Sequence, residues 1–269
     1  MPKREASSGF LRSGMPFNRL GHGPRPLVIF QGLVFENKPQ PGLTNSWYTF
    51  LGNDYTVYAV LRKPGMPRGY TLKDMANDYA AMIREEFGGP IDVIGMSTGG
   101  SIVQHFAADH PALVRRLVIH SSAHTLSESA RRLQLQIGEL GRQGQWIKAN
   151  HALFSAVFAR PGVKGYLYKP LVWLMARLMA MDSPKDPTDL VVTVEAEDKH
   201  AFKERLGEIT APTLVIAGTR DPFYTVDLFR ETAAGIPKAT LILYEGMGHP
   251  ASGKRFVRDV LAFLRAEDR

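Results

Sequence analysis

The sequence contains no cysteine among its 269 residues. This absence excludes a disulfide framework, a metal site built on thiolates and a cysteine nucleophile. Long apolar runs are missing as well. No stretch approaches the roughly 20 apolar residues that a membrane-spanning helix needs, and the N-terminus has no apolar segment of the signal-peptide kind. We therefore expect a protein of the cytoplasm.

Dense clusters of one charge are also missing. Lys and Arg number 33 against 26 Asp and Glu, which gives a net charge of +7, but the basic residues are scattered along the chain. A basic excess can serve nucleic acid or an anionic membrane, whereas scattered charges favour a solvated surface. We expect neither nucleic acid nor a membrane surface as a partner, and a monomer or a homodimer.

What the sequence does contain is an alternation of strand-length apolar runs with helix-length amphipathic runs. This alternation is typical of a parallel sheet covered by helices. One helix, 72–87, begins with Thr71 and Asp74 spaced as a capping pair. The other helices predicted outside the middle of the chain are 97–109 and 254–265. The predicted strands are 26–30, 55–61, 91–94, 117–120, 212–217 and 240–244.

The middle of the chain breaks this alternation. Residues 123–206 contain helical patterns, such as 128–140 and 171–181, but no convincing strand. Turns are expected at Pro161-Gly162, at Lys169-Pro170 and across the proline-rich stretch 182–187. We therefore predict a helical cap at 123–206, inserted into a core domain formed by 1–122 and 207–269.

The strongest chemical signal is the pentapeptide 95–99, Gly-Met-Ser-Thr-Gly, between a predicted strand and a predicted helix. So sharp a turn needs Gly95 and Gly99, because a Cβ at either position would crowd the neighbouring elements. It exposes the hydroxyl of Ser97, and the helix directs N-terminal amides towards any negative charge that develops there. The alternative is a glycine-rich turn that merely packs closely.

A serine hydroxyl is a weak nucleophile, so acyl transfer also requires a base and an orienting acid. Asp221 follows the strand 212–217, and His249 follows the strand 240–244 in a glycine-flanked loop. The carboxyl ends of parallel strands gather at one edge of the sheet. The sequence therefore predicts that Ser97, Asp221 and His249 meet there.

With this order of serine, aspartate and histidine, the chain resembles the α/β-hydrolase fold family over nearly all of its length outside the cap. The resemblance implies a mostly parallel, eight-stranded sheet flanked by helices, with Ser97 as nucleophile, His249 as general base and Asp221 as the orienting acid. It implies that the backbone N–H groups of Leu33 and Thr98 form the oxyanion hole. No cofactor is implied.

The chain departs from the family at two points. Gln31 stands where the family usually has the histidine of a His-Gly motif, and its side chain could bind substrate or only brace the loop. Basic Arg62 and Lys63 follow the strand 55–61, where an acidic residue is usual. The loop after 117–120 offers no carboxylate, which leaves Asp221 as the better candidate for the acid.

The segment 171–181 is apolar on more than one face. Packing of the cap on the core is the favoured interpretation. The alternative is an adaptable apolar wall for an acyl group, since methionine accommodates varied shapes. The residues expected to bind substrate are Trp173, Met175 and Met179 from the cap, with Gln31 and Met96 from the core.

No metal is expected, because the sequence has no His-Glu-x-x-His motif and no tight cluster of histidines and carboxylates. We expect the other histidines to serve packing or the surface rather than to act as ligands: His105, His110, His120, His124, His151 and His200.

The leading functional hypothesis is a carboxylesterase-like enzyme that takes a small-molecule ester and water and forms an acyl-enzyme on Ser97. The same triad could instead cleave thioesters, lactones, amides or carbon–carbon bonds, or transfer an acyl group. Serine rather than aspartate at position 97 argues against an epoxide hydrolase or a haloalkane dehalogenase. A lipase acting at a lipid surface and a non-catalytic small-molecule-binding protein of the same fold are further alternatives.

Overall fold

The computed structural model describes residues 7–40, 46–158 and 162–266. Its strands join into one sheet in the order β1-β2-β4-β3-β5-β6-β7-β8, in which β3 to β8 are parallel and β1 and β2 are antiparallel to their neighbours. The predicted eight-stranded, mostly parallel sheet is confirmed. The strands are β1 Ser7–Phe10, β2 Pro16–Leu20, β3 Arg25–Phe30, β4 Tyr55–Val60, β5 Ile91–Met96, β6 Val114–His120, β7 Thr213–Gly218 and β8 Ala239–Tyr244.

Helices cover both faces of this sheet. Along β3, Val28 and Phe30 pack into a core cluster with α1 and α2, while Leu27 and Ile29 pack into a second cluster with α8. Burial on both faces explains why the central strands are nearly all apolar. The helices are α1 Leu72–Glu86, α2 Thr98–Asp109, α3 Glu128–Arg142, α4 Trp146–Val157, α5 Gly162–Ala180, α6 Thr188–Asp198, α7 Val226–Gly235 and α8 Lys254–Arg265.

Helix α1 begins where the capping pair predicts. The Thr71 hydroxyl accepts a hydrogen bond from the Asp74 amide, and the Asp74 carboxylate accepts one from the Thr71 amide. Two of the N–H groups that a helix start leaves without intrahelical acceptors are thereby satisfied. These two hydrogen bonds stabilise the exposed N-terminus of α1.

Helices α3 to α6 lie between β6 and β7, and the described part of this segment contains no strand. The turn expected at Lys169-Pro170 is wrong, because α5 continues through Pro170. Proline removes one intrahelical N–H donor, but α4 packs along α5 and supports the helix. Pro161 lies outside the described residues.

The favoured interpretation of 171–181, packing of the cap on the core domain, stays a prediction, because the main neighbour of α5 is α4 of the same segment and only a narrow stripe of α5 is buried. Val172 and Ala176, spaced four residues apart, are buried. Most of the other large apolar side chains there are exposed: Leu171, Trp173, Leu174, Leu178, Met179 and Met181. A helix that is apolar on several faces can bury only the face that meets a neighbour.

Candidate active site

The turn between β5 and α2 holds Ser97 in an unusual backbone conformation. Ser97 has φ of 52° and ψ of −125°, in the region that favours glycine. Such a conformation costs on the order of 1–3 kcal/mol and persists only where the surroundings impose it. Here the Ser97 amide donates to the carbonyl of His120 at 3.0 Å, which fastens the turn to β6.

The glycines beside Ser97 are required by space. A Cβ built on Gly99 would lie 1.9 Å from the Phe30 carbonyl oxygen, and one on Gly95 would lie 2.4 Å from Cγ1 of Val103. The steric reason given for glycine at both positions is therefore confirmed. The start of α2 presses against the ends of β3 and β5.

Asp221 and His249 form a buried pair beyond the ends of β7 and β8. Oδ2 of Asp221 lies 2.7 Å from Nδ1 of His249, and the two side chains are 0% and 7% exposed. Oδ1 accepts from the amides of Phe223 at 2.9 Å and Tyr224 at 3.2 Å. With Nδ1 donating to the carboxylate, Nε2 of His249 carries the lone pair that can take a proton.

Aromatic side chains hold the His249 ring. Phe223 meets the ring edge-on with centroids 4.7 Å apart, and Tyr224 stacks at 6.2 Å. The Tyr224 hydroxyl lies 3.5 Å from Oγ of Ser122. Ser122 in turn lies against Gly100, where an added Cβ would come within 2.3 Å of the serine Cβ. These contacts connect His249 to the first turn of α2.

His120 provides a second connection between the serine turn and the histidine loop. Its carbonyl accepts from Ser97, and its Nε2 lies 2.8 Å from the carbonyl of Ala251. Nε2 is therefore the donor, and Nδ1 accepts from the Tyr48 hydroxyl at 2.7 Å. Burial lowers the pKa of His120 to about 3, which keeps the ring neutral.

Arg62 organises the loop after β3. Nη1 of Arg62 donates to the carbonyls of both Gln31 and Gly32, and Nη2 donates to the carbonyl of Gly32. All three distances are 3.1 Å. The Gly32 carbonyl and the Leu33 N–H belong to one trans peptide and point in opposite directions, so Arg62 also sets the direction of the Leu33 N–H. The loop is close to the serine, since a Cβ on Gly32 would lie 3.4 Å from Cβ of Ser97.

Arg62 is itself fully buried, and its hydrogen bonds to the loop after β3 account for a basic residue following β4. Burial lowers its pKa from the ordinary value, and the carboxylates of Glu197 and Asp189 oppose that shift. Glu197 of α6 is also fully buried and accepts from Oγ of Ser101 at 2.6 Å, one turn beyond Ser97. Burial raises the pKa of Glu197 to about 7.

On the core side, the residues expected to bind substrate lie beside the serine turn. Gln31 is buried, and within the described part of the chain its Nε2 has no hydrogen-bond partner. Met96 immediately precedes Ser97 and is partly buried against the second core cluster. The Cε of Met96 lies 3.4 Å from a Cβ built on Gly32. Their assignment to substrate stays a prediction.

The three residues predicted from 171–181 to bind substrate are spread around α5. Trp173 and Met179 are 47% and 45% exposed, and Met175 is half-buried. Met179 lines a cavity of 360 Å³ together with Phe35 and Glu36, which follow the Leu33 loop. The role of these side chains in binding substrate also stays a prediction.

Sequence reasoning missed His120, Arg62 and Glu197 as parts of this site. Each acts through an element distant in sequence, so no local motif marks it. Over residues 7–40, 46–158 and 162–266, no three His, Asp or Glu side chains gather as metal ligands. In the same residues no helix has both the length and the apolar character needed to cross a bilayer.

Comparisons with known proteins agree with this architecture. A family model described as alpha/beta hydrolase fold matches residues 60–254. A Serratia proteamaculans (strain 568) protein named as a carbamate hydrolase is 26% identical over 222 residues, covering 78% of this chain and 79% of the relative. A 2-hydroxy-6-oxononadienedioate/2-hydroxy-6-oxononatrienedioate hydrolase of Cupriavidus pinatubonensis is 39% identical over 97 residues, covering 34% of each chain.

Among solved structures, the crystal structure of a hydrolase from Pseudomonas aeruginosa PA01 superposes with a TM-score of 0.77. It is 22% identical, and the match covers 97% of this chain and 99% of that one. At this level of identity the likeness concerns the fold.

Proposed function

From the premise that the chain belongs to the alpha/beta hydrolase fold family, we propose that it is a serine hydrolase that cleaves carboxylic esters of small to medium apolar acyl groups. The observation that carries the proposal is the buried Asp221–His249 pair, 2.7 Å apart, at the same sheet edge as the strained Ser97 turn. A nucleophile, a base and an orienting acid are the parts that acyl transfer to serine requires.

The proposed reaction proceeds in two halves. The Ser97 hydroxyl adds to the ester carbonyl and gives its proton to Nε2 of His249, and the imidazolium then protonates the departing alcohol. The acyl-enzyme remains. Water adds to it with His249 again as base, the acid is released, and the proton returns to Ser97. Asp221 holds the working tautomer and stabilises the imidazolium.

The Leu33 and Thr98 N–H groups are the proposed donors to the oxyanion. Thr98 is the first residue of α2, so its N–H has no intrahelical acceptor, and the helix dipole adds positive potential there. The direction of the Leu33 N–H is set by Arg62 through the Gly32 carbonyl. A single donor of this kind contributes about 10²- to 10³-fold in rate.

An apolar acyl group fits the surroundings of this loop. Leu33 and Phe35 pack against a cluster that includes Ile137 of α3 and Leu190 and Val194 of α6. We propose that residues 123–206 act as a cap through this contact. Apolar walls with few polar groups are typical of small-molecule sites.

Cleavage of a carbon–carbon bond is the second candidate. The observation in its favour is the 39% identity over 97 residues to the Cupriavidus pinatubonensis hydrolase, whose name specifies an oxononadienedioate substrate. A 2-hydroxy-6-oxo dienedioate of that type therefore belongs in the substrate panel. Turnover of this compound with kcat/KM well above that of every ester would replace the ester proposal.

The test compares ester turnover by the wild type and Ser97→Ala. We expect saturable hydrolysis of p-nitrophenyl acetate, butyrate or octanoate, and a loss of roughly 10⁴- to 10⁶-fold in kcat for the variant. Ser129→Ala, at an exposed serine of α3, is the matched control and should keep the wild-type rate. Equal rates in the wild type and Ser97→Ala would overturn the proposal.

A further inference from the structure

Ser121, which directly follows β6, has an unusual backbone conformation. Its φ of 49° lies in the left-handed region that favours glycine, and over the described residues Ser97 is the one other non-glycine residue with a positive φ. Ser121 is fully buried, and its amide donates to the carbonyl of Ile216 in β7 at 2.8 Å. Strained conformations persist only where the surroundings impose them, and they cluster at functional sites. The strain at Ser121 therefore points to a contact that this conformation serves.

The hydroxyl of Ser121 binds the loop that carries His249. Its Oγ accepts a hydrogen bond from the amide of Ala251 at 3.0 Å, and the carbonyl of Ala251 accepts from Nε2 of His120 at 2.8 Å. Ala251 is fully buried, so bulk water does not compete for either group. Two adjacent side chains at the end of β6 thus satisfy both polar groups of one backbone residue.

The histidine loop is anchored on both sides of His249. Two residues before it, the carbonyl of Met247 accepts from the amide of Arg220 at 2.8 Å. Arg220 directly precedes the proposed acid, so this anchor holds the loop against the acid. After His249, the first backbone donor is the amide of Ala251, because Pro250 has no N–H. The bond to Ser121 is therefore the anchor closest to the ring on that side.

This second anchor connects the histidine loop to the serine turn. The carbonyl of His120 accepts from the amide of Ser97 at 3.0 Å. That carbonyl and the N–H of Ser121 belong to one planar peptide. Ser97 and Ala251 are therefore both attached to the same rigid unit, Ser97 through the His120 carbonyl and Ala251 through the Ser121 side chain.

We propose that Ser121 is a positioning residue that holds His249 within reach of Ser97 by fixing Ala251. The inference rests on the proposed function, because it concerns proton transfer between Ser97 and His249. Such transfer requires hydrogen-bond distance, and a displacement of about 1 Å can cost about 10²-fold in rate. Without the hydroxyl, the amide of Ala251 would be buried with no acceptor, so the loop is expected to shift.

Two variants separate the hydroxyl from the backbone strain. Ser121→Ala removes the hydroxyl and keeps a Cβ at positive φ, whereas Ser121→Gly removes the hydroxyl and relieves the strain. Both should lower kcat for p-nitrophenyl butyrate by about 10- to 100-fold with little change in KM, because proton transfer belongs to the chemical step. Ser121→Gly should nevertheless unfold at a higher urea concentration than Ser121→Ala. A purely structural role would instead make the loss of activity follow the loss of stability.

The matched control is Thr232→Val, on α7. The Thr232 hydroxyl is also fully buried and accepts from a backbone amide, that of His124, at 2.9 Å. Its removal leaves the same kind of unpaired donor, on an element that carries none of the three proposed catalytic residues. The variant should lose stability and keep the wild-type kcat. Circular dichroism checks that all three variants are folded, and Ser121→Gly alone decides if Ser121→Ala does not fold.

Labelling by a fluorophosphonate distinguishes failure of this inference from failure of the proposed function. The reagent reports on proton transfer from Ser97 whichever substrate is natural, so labelling of both Ser121 variants should slow in parallel with kcat. A wild type that is not labelled at Ser97 would overturn the proposed function itself.

Three results would overturn the role of Ser121 alone, with the wild type labelled at Ser97. The first is unchanged labelling and kcat in both Ser121 variants. The second is a loss in Ser121→Ala that is absent from Ser121→Gly, which would assign the effect to the backbone rather than to the hydroxyl. The third is an equal loss in Thr232→Val.

Discussion

Single residues at the candidate site are held by hydrogen bonds to buried partners. The Asp221 carboxylate accepts from two backbone amides and pairs with His249, and the Arg62 guanidinium donates to two carbonyls. Each of these groups would be costly to bury alone. The hydrogen bonds that offset this cost also fix the directions of the groups facing the proposed substrate.

Arg62→Lys tests whether this guanidinium positions the Leu33 N–H. A lysine ammonium cannot reproduce the forked contacts to Gln31 and Gly32, so the peptide should lose its orientation. We expect kcat for ester hydrolysis to fall roughly 10- to 100-fold with little change in KM, since an oxyanion donor acts in the transition state. The affinity for a boronic acid analogue should fall in parallel.

The control for this variant is Arg116→Lys, at another buried arginine, which donates to the carbonyl of Ala266 at 2.7 Å, far from the site. It should keep the wild-type kcat. A rise in KM alone in Arg62→Lys, or an unchanged kcat, would count against a positioning role for Arg62.

The sequence predicts some residues of the candidate site and misses others. The predicted residues are marked by their chain positions, and the missed residues are defined by contacts with distant elements. Ser97, Asp221 and His249 each follow a recognisable strand, so their chain positions alone predict a common sheet edge. His120 and Arg62 act through hydrogen bonds to neighbouring strands and loops. Such partners are set by sheet order and register, which no local pattern encodes.

Among the elements, the turn from β5 into α2 has the tightest packing around the site. The backbone of α2 at Gly99 meets the last carbonyl of β3 so closely that a methyl group has no room. Backbone atoms cannot move aside as a flexible side chain can. The position of Ser97 therefore depends on three elements meeting without intervening side chains.

Gly99→Ala should destabilise the fold strongly. Its Cβ would lie 1.9 Å from the Phe30 carbonyl oxygen, so either α2 or β3 must shift. Overpacking of this kind costs about 3 kcal/mol or more when backbone must move. Urea denaturation followed by circular dichroism measures the change in the free energy of unfolding.

The matched control is Gly89→Ala, because nothing lies within 4 Å of a Cβ at that position. It should change stability by less than about 0.5 kcal/mol. If both variants were equally stable, the close approach of α2 to β3 would be wrong.

The elements also differ in how far their sequences predict them. Helix α1 has a capping pair and regular apolar spacing, and the central strands β5, β6 and β7 are almost wholly buried, so all of them leave strong patterns. Strand β1 has only four residues, which are mostly exposed, and it was missed together with β2. β1 lies at the edge of the sheet, where little burial constrains its sequence, whereas in β2 the buried positions 16, 18 and 20 include the polar Asn18, so no apolar run marks the strand.

For the whole molecule, buried histidines link stability to pH. Burial lowers the pKa of His105 to about 4 and those of His120 and His200 to about 3, from an ordinary value of 6.5. Between these values the unfolded chain binds protons that the folded chain does not. The contribution of these histidines to stability is therefore full above about pH 6.5 and is lost as pH drops towards 4.

Glu197 changes the stability of the fold with pH in the opposite direction to the histidines. Its pKa is raised from 4.5 to about 7, so the folded state holds a proton that the unfolded state releases between these values. Among these four groups, one carboxyl against three histidines leaves a net uptake of roughly two protons on unfolding near pH 5. The histidines therefore dominate in this range.

We predict a lower free energy of unfolding at about pH 5 than at about pH 7, measured in urea at both values. His105→Phe, which removes one of the three titrations and keeps a flat ring beside Phe202, should lose less stability over the same interval. Stability that is flat, or that rises on acidification from pH 7 to 5, would contradict the burial of these neutral rings.

Ser97, Asp221 and His249 come from three separate loops, and we propose that they act as one group. The most direct measurement is the rate and position of covalent labelling by a fluorophosphonate, followed by intact mass and peptide mapping. We expect one adduct, on Ser97, and labelling slowed by about 10³- to 10⁴-fold in His249→Gln and Asp221→Asn. An adduct on another residue, or wild-type labelling rates in both variants, would contradict it.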